Sequence, residues 1–354
     1  MKIIKENSPH IHKASSVKRM MIDVLIALIP VTIMAIVQYQ FKAVKVLGIS
    51  IVTMLLAEFV FCLLTMQEPY NGERRTLKTI FKNTFSKMTI NNITAPLISA
   101  IIFALIMPAE VSWYIVLVGA LFGIVVGKLV FGGLGGNIFN PAAVGRVFAM
   151  ICFGVGFKYL SINSLGSSVD IFAGGTPLVQ NIFTWEAIKN LFIGTIPGSM
   201  GEVNKIAIII GGGYLLIRKS ADFRPMLAMI LSFMVIMLFV GLKIEGVNPF
   251  MYMLYQTLAG GLLFGAVFMV TDPITSPTTK PGRVTFGILI GLISAFIRLY
   301  GAYPEGVAFA IIIANMFVPV IDYPRFSNSK YTWKHFLFWG IIMALAIVVV
   351  LVTH

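Results

Sequence analysis

The sequence predicts an all-α polytopic membrane protein with ten or eleven transmembrane helices, built as two inverted five-helix repeats with interrupted segments. Three observations lead there. The chain is 58% hydrophobic and 12% charged, with a mean hydropathy of +0.92, whereas a soluble domain is about a quarter charged. Apolar runs recur at the ~20 residues needed to cross a bilayer. Two of the links between runs carry Gly, Pro and small polar residues, one link in each half.

The runs, taken in order, are 21–38, 46–66, 90–107, 111–131, 143–156, 202–217, 225–242, 251–270, 284–300, 304–321 and 336–352. The fifth and sixth are short for a span and read as broken or tilted. The eleventh either spans or lies against a neighbour. Residues 1–20 form a cytoplasmic N-terminal segment without the apolar core of a cleavable signal. Residues 21–156 make a first membrane repeat and 202–322 a second. Between them, 157–201 is a loop. Residues 323–354 add a cytoplasmic loop and an extra helix.

Basic residues set the orientation. With the N-terminus inside, 20 of the 27 Lys and Arg fall in cytoplasmic segments and their flanks, the positive-inside bias. That bias accounts for the net charge of +13 without any nucleic-acid partner. Five spans precede residues 157–201, which are therefore expected outside.

Few residues can hold a metal or a redox centre. Cys62 and Cys152 are the only cysteines, too few for a four-thiolate iron–sulfur cluster within this chain. Both read as small packed residues. The histidines, at 10, 12, 335 and 354, lie at or beyond the membrane edges, so no bis-His haem is expected in the bilayer. No metal site and no catalytic residue is assigned.

In the first half a span runs into 132–141 (GGLGGNIFNP) before the next begins. In the second, a span runs into 271–279 (TDPITSPTT). Paired interruptions in two halves of odd span number mark inverted repeats with a central site. Irregular backbone at that depth must be buried in protein or line a wet cavity. The plainer reading is two helix-ending turns, in which Asn140 or Asp272 caps the following helix and Pro stands in its first turn.

The segment 170–178 (DIFAGGTPL) is small, polar and stranded between apolar runs. Its Asp170, Gly174 and Thr176 match in register a flavinylation motif, and it resembles that of the NqrB/RnfD family. Residues 8–10 (SPH), 132–146 (GGLGGNIFNPAAVGR), 271–283 (TDPITSPTTKPGR) and 303–322 (YPEGVAFAIIIANMFVPVID) resemble further family segments, in family order. Ala173 and Gly175 depart from the motif's usual hydroxyl residue and alanine. The short N-terminal segment is most like RnfD, the membrane subunit of the ion-translocating ferredoxin:NAD oxidoreductase (Rnf) complex.

The resemblance implies FMN joined by a phosphoester to Thr176, with Asp170, Gly174 and Gly175 around it, and a second, noncovalent riboflavin. For the latter, the breaks at Asn140 and Asp272 are candidate cavity walls. It also implies other membrane and peripheral subunits, a flavin transferase for maturation, and Na+ or H+ as coupling ion. The location would be the prokaryotic cytoplasmic (inner) membrane. Such a subunit belongs to an oxidoreductase and is not catalytic alone. With no glycine-rich dinucleotide fingerprint present, NAD would bind elsewhere. The eleventh run is extra to the common ten-span form.

Among acids inside or at the edges of the spans, Glu58, Asp23 and Asp322 are candidates for an ion path. A carboxylate in a span is costly unless protonated, paired or wet. The alternatives to a Rnf-like subunit are an NqrB-like subunit of a Na+-pumping NADH:quinone reductase, a non-redox channel or transporter on an inverted repeat, and a scaffold without cofactor.

Overall fold

The computed structural model describes residues 17–66, 77–154, 184–194, 198–301, 306–323 and 330–353, which form helices and no strand. In chain order these are α1 (Val17–Tyr39), α2 (Phe41–Thr65), α3 (Leu77–Lys87), α4 (Asn91–Leu105) and α5 (Trp113–Gly127). A 3-10 turn (Leu129–Phe131) precedes α6 (Pro141–Phe153). Then come α7 (Trp185–Ile193), α8 (Lys205–Ile217), α9 (Phe223–Lys243) and α10 (Pro249–Leu258). The short α11 (Leu262–Phe264) passes into a π-helical turn (Gly265–Met269), and α12 (Lys280–Tyr300), α13 (Val307–Ile321) and α14 (Trp333–Thr353) follow.

Among the described residues, six helices are long and apolar enough to cross a bilayer: α1, α2, α5 with its 3-10 turn, α9, α12 and α14. Two bent pairs raise the number to eight: α3 with α4, turned by 82°, and α10 with α11 and the π turn, turned by 61°. The ten or eleven spans expected from the sequence also count α6, α8 and α13. These are apolar but 13, 13 and 15 residues long. At 1.5 Å per residue they reach about 20 Å, against a hydrocarbon core of about 30 Å. The sequence marks α6 and α8 as short for a span but not α13, whose apolar run extends beyond the helix.

The region expected to be a plain loop at 67–89 contains α3. Its Phe81 and Phe85 rings lie 6.2 and 5.9 Å from that of Phe59 on α2. Likewise the loop at 157–201 contains α7, capped by Thr184, whose hydroxyl accepts from Ala187 N at 3.2 Å. The chain after α7 is pinned to the bundle. Gln38 donates to Gly194 O, Tyr39 OH to Gly198 O at 3.1 Å, and Gly201 N to Leu105 O at 2.7 Å.

Packing repeats between the halves. α2 lies on α4 and α5, as α9 lies on α10 and α12. α5 lies on α6, as α12 lies on α13. Across the middle like meets like, α1 against α8 and α6 against α13. In lipid, helices associate through close packing rather than hydrophobic exclusion, so small residues mark the contacts. A Cβ on Gly123 of α5 would stand 2.6 Å from Pro141 O, and one on Gly291 of α12 would strike Ser232 and Met229 O of α9. By contrast, α14 is peripheral, with 11% of its span buried.

Candidate functional site at the paired helix breaks

The first break starts where α5 ends. Gly132, Gly133 and Gly135 take φ values of 98°, 87° and 91°, turns that side chains with a Cβ resist. Asn140 then caps α6, its side chain accepting from Ala142 N at 3.0 Å and Ala143 N at 3.3 Å, with Pro141 in the first turn. The sequence reading of Asn140 as a cap agrees with this geometry.

The second break is built differently. The π turn leads to Asp272, which accepts from Ile274 N at 3.2 Å and from Thr275 Oγ1 at 3.1 Å. Asp272 thus closes a local turn and does not cap the next helix. That cap is Thr279, accepting from Gly282 N at 3.2 Å, with Pro281 in the first turn. The reason is local: Pro273 and Pro277 bias the residues before them away from helical backbone, so α12 cannot begin until both are passed.

Asn315 of α13 ties the two breaks together. It is fully buried; its Oδ1 accepts from Asn140 N at 3.3 Å, and its Nδ2 donates to Thr275 O at 2.9 Å. Asn140 Nδ2 in turn points to Met269 O at 3.5 Å.

Between the breaks lies a narrow cavity of about 80 Å3, within a cleft whose empty space, open mouth included, is about 790 Å3. Its apolar walls include Met21, Val24, Ile98, Ile102 and Phe268, and its polar lining includes Lys128, Asn137, Asn140 and Asp272. Asn137 Oδ1 is buried and accepts no hydrogen bond among the described residues, an unusual state for a buried polar atom.

Glu58 is paired. Its carboxylate receives Lys128 Nζ at 2.8 Å, and both side chains are 3% exposed. Cys62, one turn further along α2, is buried and receives Asn92 Nδ2 at 3.8 Å. Cys152 is exposed on α6, so of the two cysteines expected to be packed only Cys62 is.

The other two candidate acids have separate surroundings. Asp23 is buried and accepts from Ser220 Oγ, from Arg218 Nε at 3.3 Å and from Tyr214 OH at 3.3 Å, with Arg19 at 3.9 Å. Asp322 accepts Thr278 N at 2.9 Å at the exposed rim of the second break. The structure therefore brings Asn140 and Asp272 to one cavity, places Glu58 behind its Lys128 wall and Asp23 behind Ser220, and leaves Asp322 apart. Asp170, Gly174, Gly175 and Thr176 lie outside the described residues.

Sequence reasoning missed Lys128, Asn137 and Asn315. It also missed buried polar groups near the other end: Arg146, Glu202 and Lys205 are 0%, 4% and 2% exposed. Lys205 donates to Glu202 O and Gly260 O, and Arg298 to Gln256 O and Ala259 O. Two cations thus satisfy carbonyls freed where α10 ends, the favoured charge at a helix C-terminus. Counting basic as well as acidic residues inside apolar runs would have flagged Lys128, Arg146, Lys205 and Arg298.

The chain is similar to membrane proteins of two complexes. The B-type subunit of the Na(+)-translocating NADH-quinone reductase of Chromohalobacter salexigens is 38% identical over 240 residues, and that of Pseudomonas aeruginosa 37%. These matches cover 64% of this chain but 57% and 58% of those proteins, so the chain spans less than three fifths of their length. The D-type subunit of the ion-translocating oxidoreductase complex of Actinobacillus succinogenes is 30% identical, over 89% of this chain and 94% of that one. The profile of the NQR2, RnfD, RnfE family matches residues 4–328 and stops before α14. With a match over nearly the whole bundle and both breaks inside it, the chain belongs to the NQR2, RnfD, RnfE family.

Proposed function

We propose that the chain is the flavin-carrying membrane subunit of a redox-driven ion pump of the RnfD type, passing electrons between ferredoxin and NAD through partner subunits while Na+ or H+ crosses the membrane. The observation that carries the choice of type is the match over 94% of the D-type relative's length. The NqrB-type reading, NADH to quinone, has the higher identity, 38%, over a shorter stretch. Purified complex given reduced ferredoxin or NADH as donor separates the two: NAD reduction by ferredoxin supports the first, quinone reduction by NADH the second.

Thr176 would carry FMN through a phosphoester, attached by a flavin transferase, in a loop on the extracytoplasmic side. A denaturing gel viewed under ultraviolet light tests it. Thr176→Ala from cells with an active transferase should be dark while the wild-type band fluoresces. A fluorescent mutant band would reject the site.

The cleft between the breaks is the place for a second, noncovalent flavin such as riboflavin; its enclosed part, about 80 Å3, is smaller than such a ring, so the walls would have to open to admit it. The fit rests on apolar walls that would face a flat ring and on the unbonded Asn137 Oδ1, which would accept a ring N–H. A flavin takes electrons singly or in pairs and so joins unlike carriers. Asn140 and Asp272 supply the polar lip, while Met21, Val24 and Phe268 exclude water. Lys128 sets a buried positive charge in the wall, balanced by Glu58 behind it. This pair is our candidate for the ion-coupling element, with Asp23 and Asp322 as outlying acids. Asn137→Leu should lower acid-extractable flavin per chain and leave the covalent band unchanged. Unchanged extractable flavin would exclude this cavity.

A further inference from the structure

Beside the cavity an open groove of about 710 Å3 runs between the α8–α9 turn and the start of α12. Cavity and groove share Met20, Ser220, Ala221, Thr271 and Pro273. Lys219, Arg224, Lys280 and Arg283 line the groove, with Asp222 as its carboxylate. Asp222 is already engaged, by Arg224 at 2.8 Å and Arg283 at 2.5 Å, and caps α9 by accepting Arg224 N at 2.9 Å. Among the described residues Lys219 and Lys280 make no ion pair and no side-chain hydrogen bond, so two positive charges face the groove uncompensated.

Two further features distinguish the groove from ordinary basic loops. Ser276 is 6% exposed, lines the groove, and its hydroxyl bonds to no described residue. Its Oγ reaches the groove and is free to donate to a bound anion. Lys219 has φ 57° at the end of α8, where Ser220 N bonds Leu215 O and Lys219 N bonds Leu216 O, each at 3.0 Å. Glycine is the usual residue at that left-handed position; a side chain there carries backbone strain, which persists chiefly where it serves a site. A bias for basic residues at one membrane face accounts for neither feature.

We propose that this groove binds a phosphate ester, its oxyanion held between Lys219 and Lys280 with Ser276 donating a hydrogen bond. The N-terminus of α12, opening at the same place, adds to the favourable field for an anion. The same chemistry is presented by a phospholipid headgroup and by a soluble phosphate monoester. The test reads no flavin, so its failure is distinguishable from failure of the flavin reading.

The test uses the full chain in phosphatidylcholine nanodiscs. In one arm glycerol 3-phosphate is titrated and the melting temperature followed. In the other, phosphatidylglycerol is mixed into the discs and its retention over phosphatidylcholine is measured by native mass spectrometry. Saturable stabilisation by glycerol 3-phosphate identifies a soluble phosphate, and selective retention of phosphatidylglycerol identifies a headgroup. In whichever arm responds, Lys219→Gly with Ser276→Ala should weaken binding by at least about ten-fold, the effect of losing one charge-assisted contact. Lys219→Gly relieves the left-handed strain, so the variant keeps its fold. Response in neither arm, or an unchanged affinity in the variant, overturns the proposal.

Discussion

The two breaks, one between α5 and α6 and the other between the π turn and α12, meet at Asn315 yet are made from different chemistry. The first relies on left-handed glycines and an Asn–Pro cap, and it ends beside a buried ion pair, Lys128 with Glu58. The second relies on a π turn, two prolines and the Asp272 turn, with its helix capped later by Thr279. Either device meets the same demand, that irregular backbone inside a bilayer be satisfied by protein. The first places Lys128 in the cavity wall and the second places Asp272 there.

Breaking the ion pair gives the largest expected effect. Lys128→Met should destabilise the protein by about 3–5 kcal/mol, because it strands a buried carboxylate. Adding Glu58→Gln should recover much of that loss, since the pair is then replaced together. Thermal unfolding in detergent measures both; equal stability of single and double variants would show that the pair is not coupled. With ion uptake normalised to electron transfer, the double variant also tests the coupling role, which a purely structural pair would not disturb.

Cutting the tie between the breaks comes next. Asn315→Leu leaves Asn140 N and Thr275 O without their partner, at about 1–3 kcal/mol for each orphaned group. It should also lower cavity occupancy, read as acid-extractable flavin, because both walls lose their reference. Retained occupancy with lowered stability would restrict Asn315 to a structural role.

Glycine contacts compare the halves directly. Gly123→Leu and Gly291→Leu should each cost about 1–3 kcal/mol through overpacking. The first should disturb the cavity more, since Gly123 abuts Pro141 of the cavity lining. A greater loss of extractable flavin in Gly291→Leu would reverse that ranking.

The caps come last among the substitutions. Thr279→Ala should cost about 1 kcal/mol. Asp272→Ala should loosen the 272–275 turn without unwinding the start of α12, as amide hydrogen exchange at 282–284 would report. Exchange there that rises with Asp272→Ala and not with Thr279→Ala would restore Asp272 as the cap.

A pH effect is expected at Asp222. Burial pushes its carboxyl up, but the bond from Arg224 N and the Arg283 and Arg224 guanidiniums outweigh it and hold it below the usual value. A depressed folded-state pKa contributes stability that is full above the unfolded aspartate value, about 3.9, and lost as pH falls through the folded one. Asp222→Asn should therefore flatten the acid limb of the unfolding curve by lowering stability at neutral pH, while wild type and variant converge at pH below the folded value. An unchanged acid limb would remove Asp222 from that role.

Much of the local chemistry was legible in the chain. Asn140-Pro141 read as a helix start because side-chain capping and proline's fixed φ act within three residues. Asp272-Pro273 misled for the same reason in reverse, since the later Ser276-Pro277 pair postponed the helix beyond reach of the aspartate. Glu58 stood out as a costly charge in a span, but its partner lies 70 residues away on another helix, and no local rule names it. Asn315 sat unmarked in an apolar run for the same reason.

By itself the sequence determined that the chain is helical and membrane-embedded, where its two interruptions fall, and which family it resembles, because hydropathy, turn residues and short motifs act over a few neighbouring positions. Tertiary structure alone decided that α13 is also short of a full span, that Lys128 pairs with Glu58, and that Asn315 joins the breaks around one cavity. Those outcomes depend on which helices lie side by side, and a buried polar group finds its partner in space rather than along the chain.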